Sequence, residues 1–461
     1  MAAKHWTRAL GFGVVAVTLM ASPIRSASEG VATAQCVTRP IATPSPDRSR
    51  YTVSVRIDPA KREVRGHVHV TFVPDLPVTE LVFRTWANGP DSEAATDRWP
   101  EPHEQIGAVT VHGHPVTTAK PDPTTLVVDL GRTVSANQRI EADLDYDLRL
   151  PRTRNDRISA GKDWVRIGSF LPLLAWEPGI GWSRTPATPA RAEASMFPAA
   201  DFTMTVDAPA DYSVLATGER DASQTWHVTG ARDVGISAGR FRVAEGTAFA
   251  GSTHPVKVSV GVASDRTQDD PYVYLRRALE ALAAHGERYG PYAWPSLSLA
   301  VTPNLSGGIE YPGSIMLGSD PTGVATSHEV AHQWFYALVG NDQGRNPWLD
   351  EGLTSWAEAR MDGQVNRYVA RVDAFPTEKL HMGAPVSYWE TVRPVLYALA
   401  VYAGPVAFLN GLGSAEDVDC ALRDYVARNA YRIARPTDLT TVLRQHFPDT
   451  YPRVAKEYGL D

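Results

Sequence analysis

Two histidines and two glutamates stand at a spacing that suits zinc chemistry. His328 and His332 are four residues apart, and Glu329 directly follows the first of them. On a helix, residues i and i+4 lie on the same face, so both imidazoles can reach one ion, with Glu329 beside it to take a proton from water. A second glutamate, Glu351, follows His332 after eighteen intervening residues. Two histidines and one glutamate leave a fourth position open, as catalytic zinc requires.

The helices that would carry these residues can be predicted from their flanks. Asn346 followed by Pro347 is a good helix start, which places Glu351 in an early turn. A purely structural explanation of Glu329 is also open. The segment Thr326-Ser327-His328-Glu329 fits a capping box, in which the glutamate bonds back to the start of the helix. The availability of Glu351 as a third ligand favours the metal site.

The rest of the chain divides into two parts by its hydrophobic period. Apolar residues alternate with polar ones in many segments between residues 49 and about 250, as in Tyr51–Ile57 and Ile140–Leu148, which is typical of half-buried antiparallel strands. Asp270 followed by Pro271 then predicts a helix start. Later helices are predicted over 324–339, 347–361, 388–411, 415–429 and 436–446. We therefore predict an α+β multidomain protein, with an antiparallel β domain over 49–252 and a mainly α catalytic domain over 253–461.

The N-terminus has the layout of a secretory signal. Lys4 and Arg8 precede the apolar stretch Ala9–Ala21, and small residues follow it. We predict a signal peptide over 1–34, with cleavage near 28 or near 34, and a linker over 35–48 that is rich in Ser, Thr and Pro. The expected location is therefore secreted or associated with the cell envelope. No stable membrane span is expected once the signal is removed, and lipid attachment at Cys36 stays open.

Composition narrows the classes of partner. The 461 residues include 45 basic and 52 acidic ones, for a formal net charge of −7, which argues against nucleic acid as a partner. The two cysteines, Cys36 and Cys420, are too few for a thiolate zinc ribbon. Export would permit a disulfide between them. The sequence alone leaves open whether they are bridged or free.

The zinc spacing resembles that of a known family. His-Glu-x-x-His, eighteen residues and then Glu is similar to the signature of the M1 metalloaminopeptidases, which are gluzincins, and the flanks at 331–335 and 348–352 resemble it too. The family often has Asn where Asp350 stands. The resemblance implies one zinc per chain on His328, His332 and Glu351, with Glu329 as the catalytic base. It also implies a saddle-like N-terminal β domain followed by a thermolysin-like catalytic domain.

A second motif points to recognition of a substrate's N-terminus. Gly307-Gly308-Ile309-Glu310-Tyr311 resembles the family's Gly-x-Met-Glu-Asn exopeptidase motif. The resemblance implies that Gly308 and Glu310 bind substrate, with Glu310 pairing with the α-ammonium of a peptide. The departures Ile309 and Tyr311 are expected to reshape the first side-chain pocket. The alternative is a Gly-rich turn with a solvated glutamate.

Two further residues have expected roles near the zinc. Val401-Tyr402-Ala403-Gly404 resembles the family segment whose tyrosine donates to the tetrahedral intermediate, with Tyr397 as the alternative; either could instead be a core tyrosine. Glu358 lies seven residues after Glu351, on the same helical face. It is expected either to hold a ligand histidine or to be solvated on the helix surface.

Together these features predict a secreted zinc metallopeptidase that removes N-terminal residues from peptides. A zinc endopeptidase of the same fold and a non-catalytic surface binding protein that keeps the zinc scaffold are the alternatives. The chain ends at Asp461. The large C-terminal helical domain of many M1 members is therefore expected to be absent. The family's substrate-binding glutamine in the β domain has no clear match here.

Overall fold

The computed structural model of the chain describes residues 36, 39–89, 103–151, 156–185, 196–375, 381–392 and 396–460. The predicted signal peptide over 1–34 lies outside these ranges. The domain boundary at 252/253 stays a prediction.

The first strands belong to the predicted β domain. They are β1 (Arg50–Asp58), β2 (Glu63–Phe72), β3 (Val78–Arg84), β4 (Glu104–Val111), β5 (His114–Pro115), β6 (Thr118–Asp122), β7 (Thr125–Val134), β8 (Ile140–Arg149), β9 (Ile158–Ala160), β10 (Trp164–Gly168), β11 (Leu173–Leu174), β12 (Trp176–Glu177) and β13 (Gly181–Trp182). The later strands are β14 (Ala200–Asp207), β15 (Ser213–Ala216), β16 (Glu219–Arg220), β17 (Thr225–Ala231), β18 (Gly235–Gly239), β19 (Phe241–Ala248), β20 (Val256–Ala263), β21 (Ser296–Val301), β22 (Gly308–Ile309), β23 (Ser314–Leu317), β24 (Gly340–Asn341) and β25 (Ile433–Ala434).

The strands form several sheets. The largest has the order β16-β17-β14-β1-β2-β8-β4-β5, and its pairs are antiparallel apart from the parallel pair β1 and β14. Two four-stranded sheets have the orders β15-β18-β10-β9 and β11-β3-β7-β6. A five-stranded sheet, β19-β20-β21-β23-β22, combines parallel and antiparallel pairs. The prediction of an antiparallel β domain is therefore confirmed, apart from the parallel pair β1 and β14, which the alternation of residues did not predict.

Alternation along the strands explains which face of the large sheet is buried. In β1 and β8 buried and more exposed residues alternate along most of the strand. The alternate residues of a strand lie on one face, so this face packs into the core while the other meets solvent.

The helices follow the β-rich part. They are α1 (Pro271–Tyr289), α2 (Val324–Ala331), α3 (Glu351–Asp362), α4 (Val365–Asp373), α5 (Val386–Val392), α6 (Gly404–Asn410), α7 (Ala415–Asn429), α8 (Pro436–His446) and α9 (Tyr451–Glu457). The helix predicted to start at Asp270 does so, because the Asp270 side chain accepts a hydrogen bond from the Tyr272 N–H. α7 and α8 have the predicted limits. A 3-10 turn at Pro347–Leu349 precedes α3.

The helix predicted over 324–339 is shorter in the structure. It ends at Ala331, and residues 332–339 form turns in which Tyr336 has a φ of 116°. The side chain of Arg232 donates to the backbone carbonyls of Tyr336 and Leu338. A φ of 116° at Tyr336 lies far outside the α-helical range, so the chain cannot pass through this residue as a helix. Arg232, from the β17–β18 turn, supplies donors to carbonyls of the turns that form instead.

The single helix predicted over 388–411 is also divided. α5 ends at Val392, and a π-helical turn over Ala398–Ala403 leads directly into α6. Pro405 lies in the first turn of α6 and has no N–H to donate to the carbonyl four residues earlier. The proline therefore stands where the wider turn changes to a regular α-helix.

The predicted linker is fastened to the helical part. Cys36 and Cys420 form a disulfide with their Cα atoms 5.2 Å apart, which settles the pairing that the sequence left open. Nearby, Arg39 Nε lies 2.7 Å from a carboxylate oxygen of Asp424, which like Cys420 belongs to α7.

No single helix in the described ranges is long and apolar enough to cross a membrane; the bent pair Ala398–Asn410 and Ala415–Asn429 passes by length and composition only.

Arg232 is predicted to be a major source of stability. It is 2% exposed and donates to four backbone carbonyls, those of Phe197, Tyr336, Leu338 and Arg432. Burial lowers the pKa of its guanidinium to about 10, so the group is still charged at neutral pH. We expect Arg232→Met to reduce the free energy of unfolding by about 3–5 kcal/mol, measured by urea denaturation, because several buried carbonyls lose their donor.

Arg56→Met is the matched control, since Arg56 pairs with Asp207 on the surface with both side chains mostly exposed. It should change stability little, because exposed ion pairs contribute little. Equal losses in the two variants would contradict the proposed role of Arg232.

Candidate active site

Helix α2 carries the first histidine and the glutamate beside it. Its start is fastened by Asp320, whose carboxylate accepts hydrogen bonds of 2.7 Å from both the N–H and the hydroxyl of Thr326. The N-cap position is Gly323, with no side-chain cap. The capping-box explanation of Glu329 is therefore wrong, since Thr326 already lies inside the helix.

Arg277 of α1 fixes α2 against α3. Its side chain donates to the Gly323 carbonyl at 2.9 Å and to the Ser327 hydroxyl at 3.0 Å. It also forms an ion pair with Asp362, the last residue of α3. One guanidinium thus links three helices, which sets the separation between the histidines on one side and Glu351 on the other.

The three predicted ligands converge. Glu351, the first residue of α3, has its Oε2 atom 3.2 Å from His328 Nε2 and 3.4 Å from His332 Nε2. The ligand atoms of His328, His332 and Glu351 all lie within 4.8 Å of one another. Four ligands placed 2.0–2.1 Å from a tetrahedral zinc are about 3.3 Å apart, so this donor set has the chemistry and spacing for zinc.

Each histidine is oriented by a carboxylate on its other ring nitrogen. His332 Nδ1 lies 2.8 Å from Asp350 Oδ1 and 3.0 Å from the Thr354 hydroxyl. His328 Nδ1 lies 3.4 Å from Glu358 Oε2, which also accepts a hydrogen bond from Tyr368. Glu358 is 3% exposed, so it is not solvated on the helix surface. Such outer partners fix the ring nitrogen that is free for a metal.

The acidic surroundings determine how the site holds protons when no ion is bound. Burial alone would lower the pKa of His328, but hydrogen bonds to Glu351 and Glu358 outweigh it and raise that pKa to about 9. Burial alone would raise the pKa of Glu351, and the two histidines outweigh this and lower it. A metal must therefore displace protons from the imidazoles in order to bind.

Glu329 and Gly308 meet across the site. Glu329 lies in α2 with 5% exposure, and Gly308 lies in the short strand β22. A Cβ placed on Gly308 would come within 2.8 Å of the Glu329 carboxylate oxygen Oε1. Only glycine at position 308 thus lets the backbone approach this carboxylate so closely.

Glu310 is buried rather than solvated. Its side chain is 4% exposed, and its carboxylate lies within 4.8 Å of the ligand atoms of His332 and Asp350. The Gln343 amide stands between the two acids, donating to Asp350 at 2.6 Å and reaching Glu310 at 3.5 Å. The structure therefore places the predicted amine-binding carboxylate close to one predicted metal ligand, His332.

Tyr402 reaches the metal ligands from the π-helical turn. Its ring stacks on His328 with centroids 5.8 Å apart, and its hydroxyl interacts with Glu351. Burial, with added repulsion from Glu351, raises the pKa of the Tyr402 phenol well above 10, so it remains a proton donor. Tyr397 contacts Tyr402 edge-on, with centroids 6.1 Å apart. The geometry thus favours Tyr402 as the residue nearer to the ligands.

A close helix contact explains the position of Tyr402. Gly352 directly follows Glu351, and a Cβ there would overlap the ring of Pro405. Glycine therefore allows α6 and the turn before it to approach the start of α3. Pro405, which follows Gly404, is part of this packing.

The sequence reasoning missed two glutamines of the site, Gln333 and Gln343, both 1% exposed. Gln333 lies between α2 and the Glu310 segment, and Gln343 between Glu310 and Asp350. A signal was present for Gln333, because it is a polar residue within the apolar run 330–339. A buried amide needs hydrogen-bond partners, so such a residue predicts a specific contact.

Comparison with known proteins agrees with this site. Residues 282–457 match the peptidase family M1 domain, and this range includes His328, His332, Glu351 and Tyr402. The match thus covers the segment whose zinc spacing resembles that of the M1 family.

Related sequences align over short segments. Leukotriene A-4 hydrolase of Xenopus laevis is 31% identical over 105 residues, which are 21% of this chain and 17% of that protein. Aminopeptidase M1-B of Oryza sativa subsp. japonica is 23% identical over 46% of this chain and 27% of its own length. Aminopeptidase B of Rattus norvegicus is 33% identical over 18% of this chain and 14% of its own length. The matched segments thus span less than a third of each of these relatives.

The fold extends over nearly the whole described chain. An M1 zinc metallopeptidase from Deinococcus radiodurans superposes with a TM-score of 0.66 and 18% identity, covering 91% of this chain and 96% of that one. A mutant of it bound to a Tyr-Ser-Ala substrate matches equally well, with a TM-score of 0.66, 17% identity and coverage of 90% and 94%. The predicted order, a β domain followed by a thermolysin-like catalytic domain, is confirmed as the fold of these peptidases.

Metal content is the direct test of the ligand set. We expect about one zinc per chain by mass spectrometry, and His332→Ala should lose it because one of three ligands is gone. Glu329→Gln should retain the metal but lose peptidase activity by about 10²–10⁴, since only the base is removed. His227→Ala is the control, because His227 is exposed and pairs with Asp221. Zinc-free protein after ample zinc supply would contradict the site.

The second test separates the two tyrosines. Tyr402→Phe should keep zinc and KM but lower kcat by about 10²–10³, the loss expected for one donor to an oxyanion. Tyr397→Phe is the matched control and should change kcat little. If Tyr397→Phe lowers kcat and Tyr402→Phe does not, the assignment is reversed.

Proposed function

We propose that this chain is a secreted zinc aminopeptidase that hydrolyses N-terminal residues from peptides. The observation that carries the proposal is the buried Glu310 carboxylate, which shares a cluster with the metal ligand His332. A peptidase that only needed to hydrolyse a bond would require the zinc ligands and a base. A carboxylate held beside them adds a binding position for a positive charge.

The position of the Glu310 carboxylate, within 4.8 Å of a ligand atom of His332, supports cleavage at the first peptide bond. In a peptide, the α-nitrogen and the first carbonyl carbon are joined through a single Cα, by two bonds of about 1.5 Å. When the first carbonyl of a peptide lies at the ion, the α-nitrogen of the same residue is therefore only a few ångströms from that carbonyl. A carboxylate beside the metal ligands suits a free α-ammonium there, whereas an internal residue would present an uncharged amide.

The side chains divide the reaction among them. A bound zinc would act as a Lewis acid on the scissile carbonyl and the attacking water. Glu329 takes the proton of that water and passes it to the leaving amine. The Tyr402 hydroxyl donates a hydrogen bond to the oxygen that gains negative charge. Glu310 holds the α-ammonium and thereby selects the bond that is cut.

Two features support export from the cytoplasm. The basic, apolar and small segments of residues 1–34 have the layout of a secretory signal, although these residues lie outside the described ranges. The Cys36–Cys420 disulfide is of the kind that persists in oxidising compartments. We therefore propose that the mature protein works outside the cell or at the cell envelope.

The test is a panel of aminoacyl fluorogenic substrates and short peptides, assayed with and without a chelator. Peptides with a free N-terminus should be shortened one residue at a time, and acetylated ones hardly cut. Glu310→Ala should lower kcat/KM for free peptides by about 10- to 100-fold with zinc retained, because the ammonium loses its charged partner. The preference for free over acetylated peptides should shrink with it.

Glu245→Ala serves as the control, since Glu245 is an exposed glutamate that pairs with Lys257. It should leave rate and preference unchanged. Internal fragments from acetylated peptides, produced as fast as from free ones, would instead identify an endopeptidase. Zinc binding without hydrolysis of any peptide would point to the non-catalytic alternative.

A further inference from the structure

The residue after Glu310 is anchored in the β-rich part of the chain. Tyr311 is 2% exposed, and its ring lies against Gly168 of β10 and Gly235 of β18. These glycines are direct cross-strand partners. A Cβ on either one would overlap the Tyr311 ring. The paired glycines thus form a gap in the sheet that the aromatic ring fills.

A directed chain of hydrogen bonds holds the tyrosine at its far end. The Ser169 hydroxyl donates to the Asp233 carboxylate at 2.8 Å, and the Tyr311 hydroxyl lies 3.2 Å from the same Ser169 oxygen. Serine has a single hydroxyl proton, and Asp233 receives it. Tyr311 must therefore be the donor to Ser169. Successive hydrogen bonds of this kind strengthen one another in a buried site.

The geometry around Ser169 indicates that this arrangement is costly to build. Ser169 has a φ of 47°, in the left-handed region that non-glycine residues seldom adopt. Asp233 is fully buried, and its other oxygen accepts the Val234 N–H at 2.7 Å. A strained backbone and a buried carboxylate persist only where the surrounding contacts hold them in place.

The opposite side of the same segment is held by Gln333, which lies two residues after the end of α2. Gln333 directly follows His332, accepts the Gly313 N–H at 2.8 Å and donates to the Tyr311 carbonyl at 3.2 Å. The peptide that carries Glu310 is therefore held from both sides. On one side is the residue next to a metal ligand, and on the other is a tyrosine anchored to β10 and β18.

We propose that Tyr311 is a positioning residue, which holds the Glu310 carboxylate, through Ser169 and Asp233, where the α-ammonium of a substrate binds. The inference rests on the proposed aminopeptidase function and names the element that sets its register. Loss of the Tyr311 hydroxyl should let Glu310 shift relative to the ion. Amine binding should weaken, while the chemistry at the ion, which uses other residues, should continue.

The test compares zinc-loaded wild type with Tyr311→Phe and Ser169→Ala. Calorimetry measures the binding of leucinamide and of N-acetyl-leucinamide, and kinetics with the best aminoacyl substrate gives KM and kcat separately. Each variant should weaken leucinamide binding and raise KM by about 3- to 10-fold, the value of one buried hydrogen bond. Binding of the acetylated amide and kcat should stay within about twofold.

Two controls distinguish positioning from a merely structural role. The double variant should weaken leucinamide binding no more than Ser169→Ala alone, because that change already breaks the Tyr311–Ser169 bond together with the Ser169–Asp233 bond. Tyr292→Phe removes another buried tyrosine hydroxyl, which donates to the Ser296 carbonyl at 3.0 Å. It should lower Tm as Tyr311→Phe does, yet leave leucinamide binding unchanged.

Each result has a definite meaning. If Tyr311→Phe and Ser169→Ala lower Tm while the preference for leucinamide over its acetylated form is kept, Tyr311 is structural and the inference is wrong. A fall in kcat with KM unchanged would also overturn it. If the wild type itself shows no preference for the free amine, the proposed function fails first and the inference with it. Should Tyr311→Phe not fold, Ser169→Ala decides, because it leaves the ring in place.

Discussion

The contact of one carboxylate with two imidazoles is the constraint on which the helical part depends. Glu351 opens α3 and lies within 3.4 Å of both histidines, of which His328 belongs to α2 and His332 directly follows it. These side chains are short and buried, so only a small range of helix positions brings them together. Arg277 holds that position by joining the start of α2 to the end of α3. The contact of Glu351 with the two histidines and the bonds of Arg277 thus restrict how the two helices pack.

Charge balance extends this constraint outward from the ligands. Buried carboxylates need partners, and here the acids are arranged around the histidines: Asp350 on one imidazole and Glu358 on the other. Tyr368 and Gln343 in turn donate to those acids. Each of these contacts restricts the orientation of the acid or imidazole that it binds. Such outer contacts fix the orientation of the side chains that would hold a metal.

The β-rich part contributes to the site through its buried side chains. Arg232 binds the carbonyls of the turns that follow His332, and Arg166 binds those of Pro303 and Asn304, just before the Gly-rich segment. Tyr311 anchors that segment to the β-rich part through its hydrogen bond with Ser169. Because loops have few contacts of their own, such anchors decide where their catalytic residues stand. Side chains from both parts of the chain therefore shape the site, although the predicted zinc ligands all lie in the second part.

Local spacing was enough to predict the metal site, since the four-residue interval of His328 and His332 on a helix places both on one face whatever surrounds them. Strand alternation and the helix starts at Asp270 and Pro436 were equally local and could be read from the sequence. The end of α2 at Ala331 could not, because the turns that replace the predicted helix are held by Arg232, about a hundred residues earlier. Three further features could not be read from the sequence either: the burial of Glu310, the pairing of the cysteines and the gap that receives Tyr311. Each of these joins segments far apart in the chain, and only the tertiary structure, which buries their polar groups together, decides which partner each one meets.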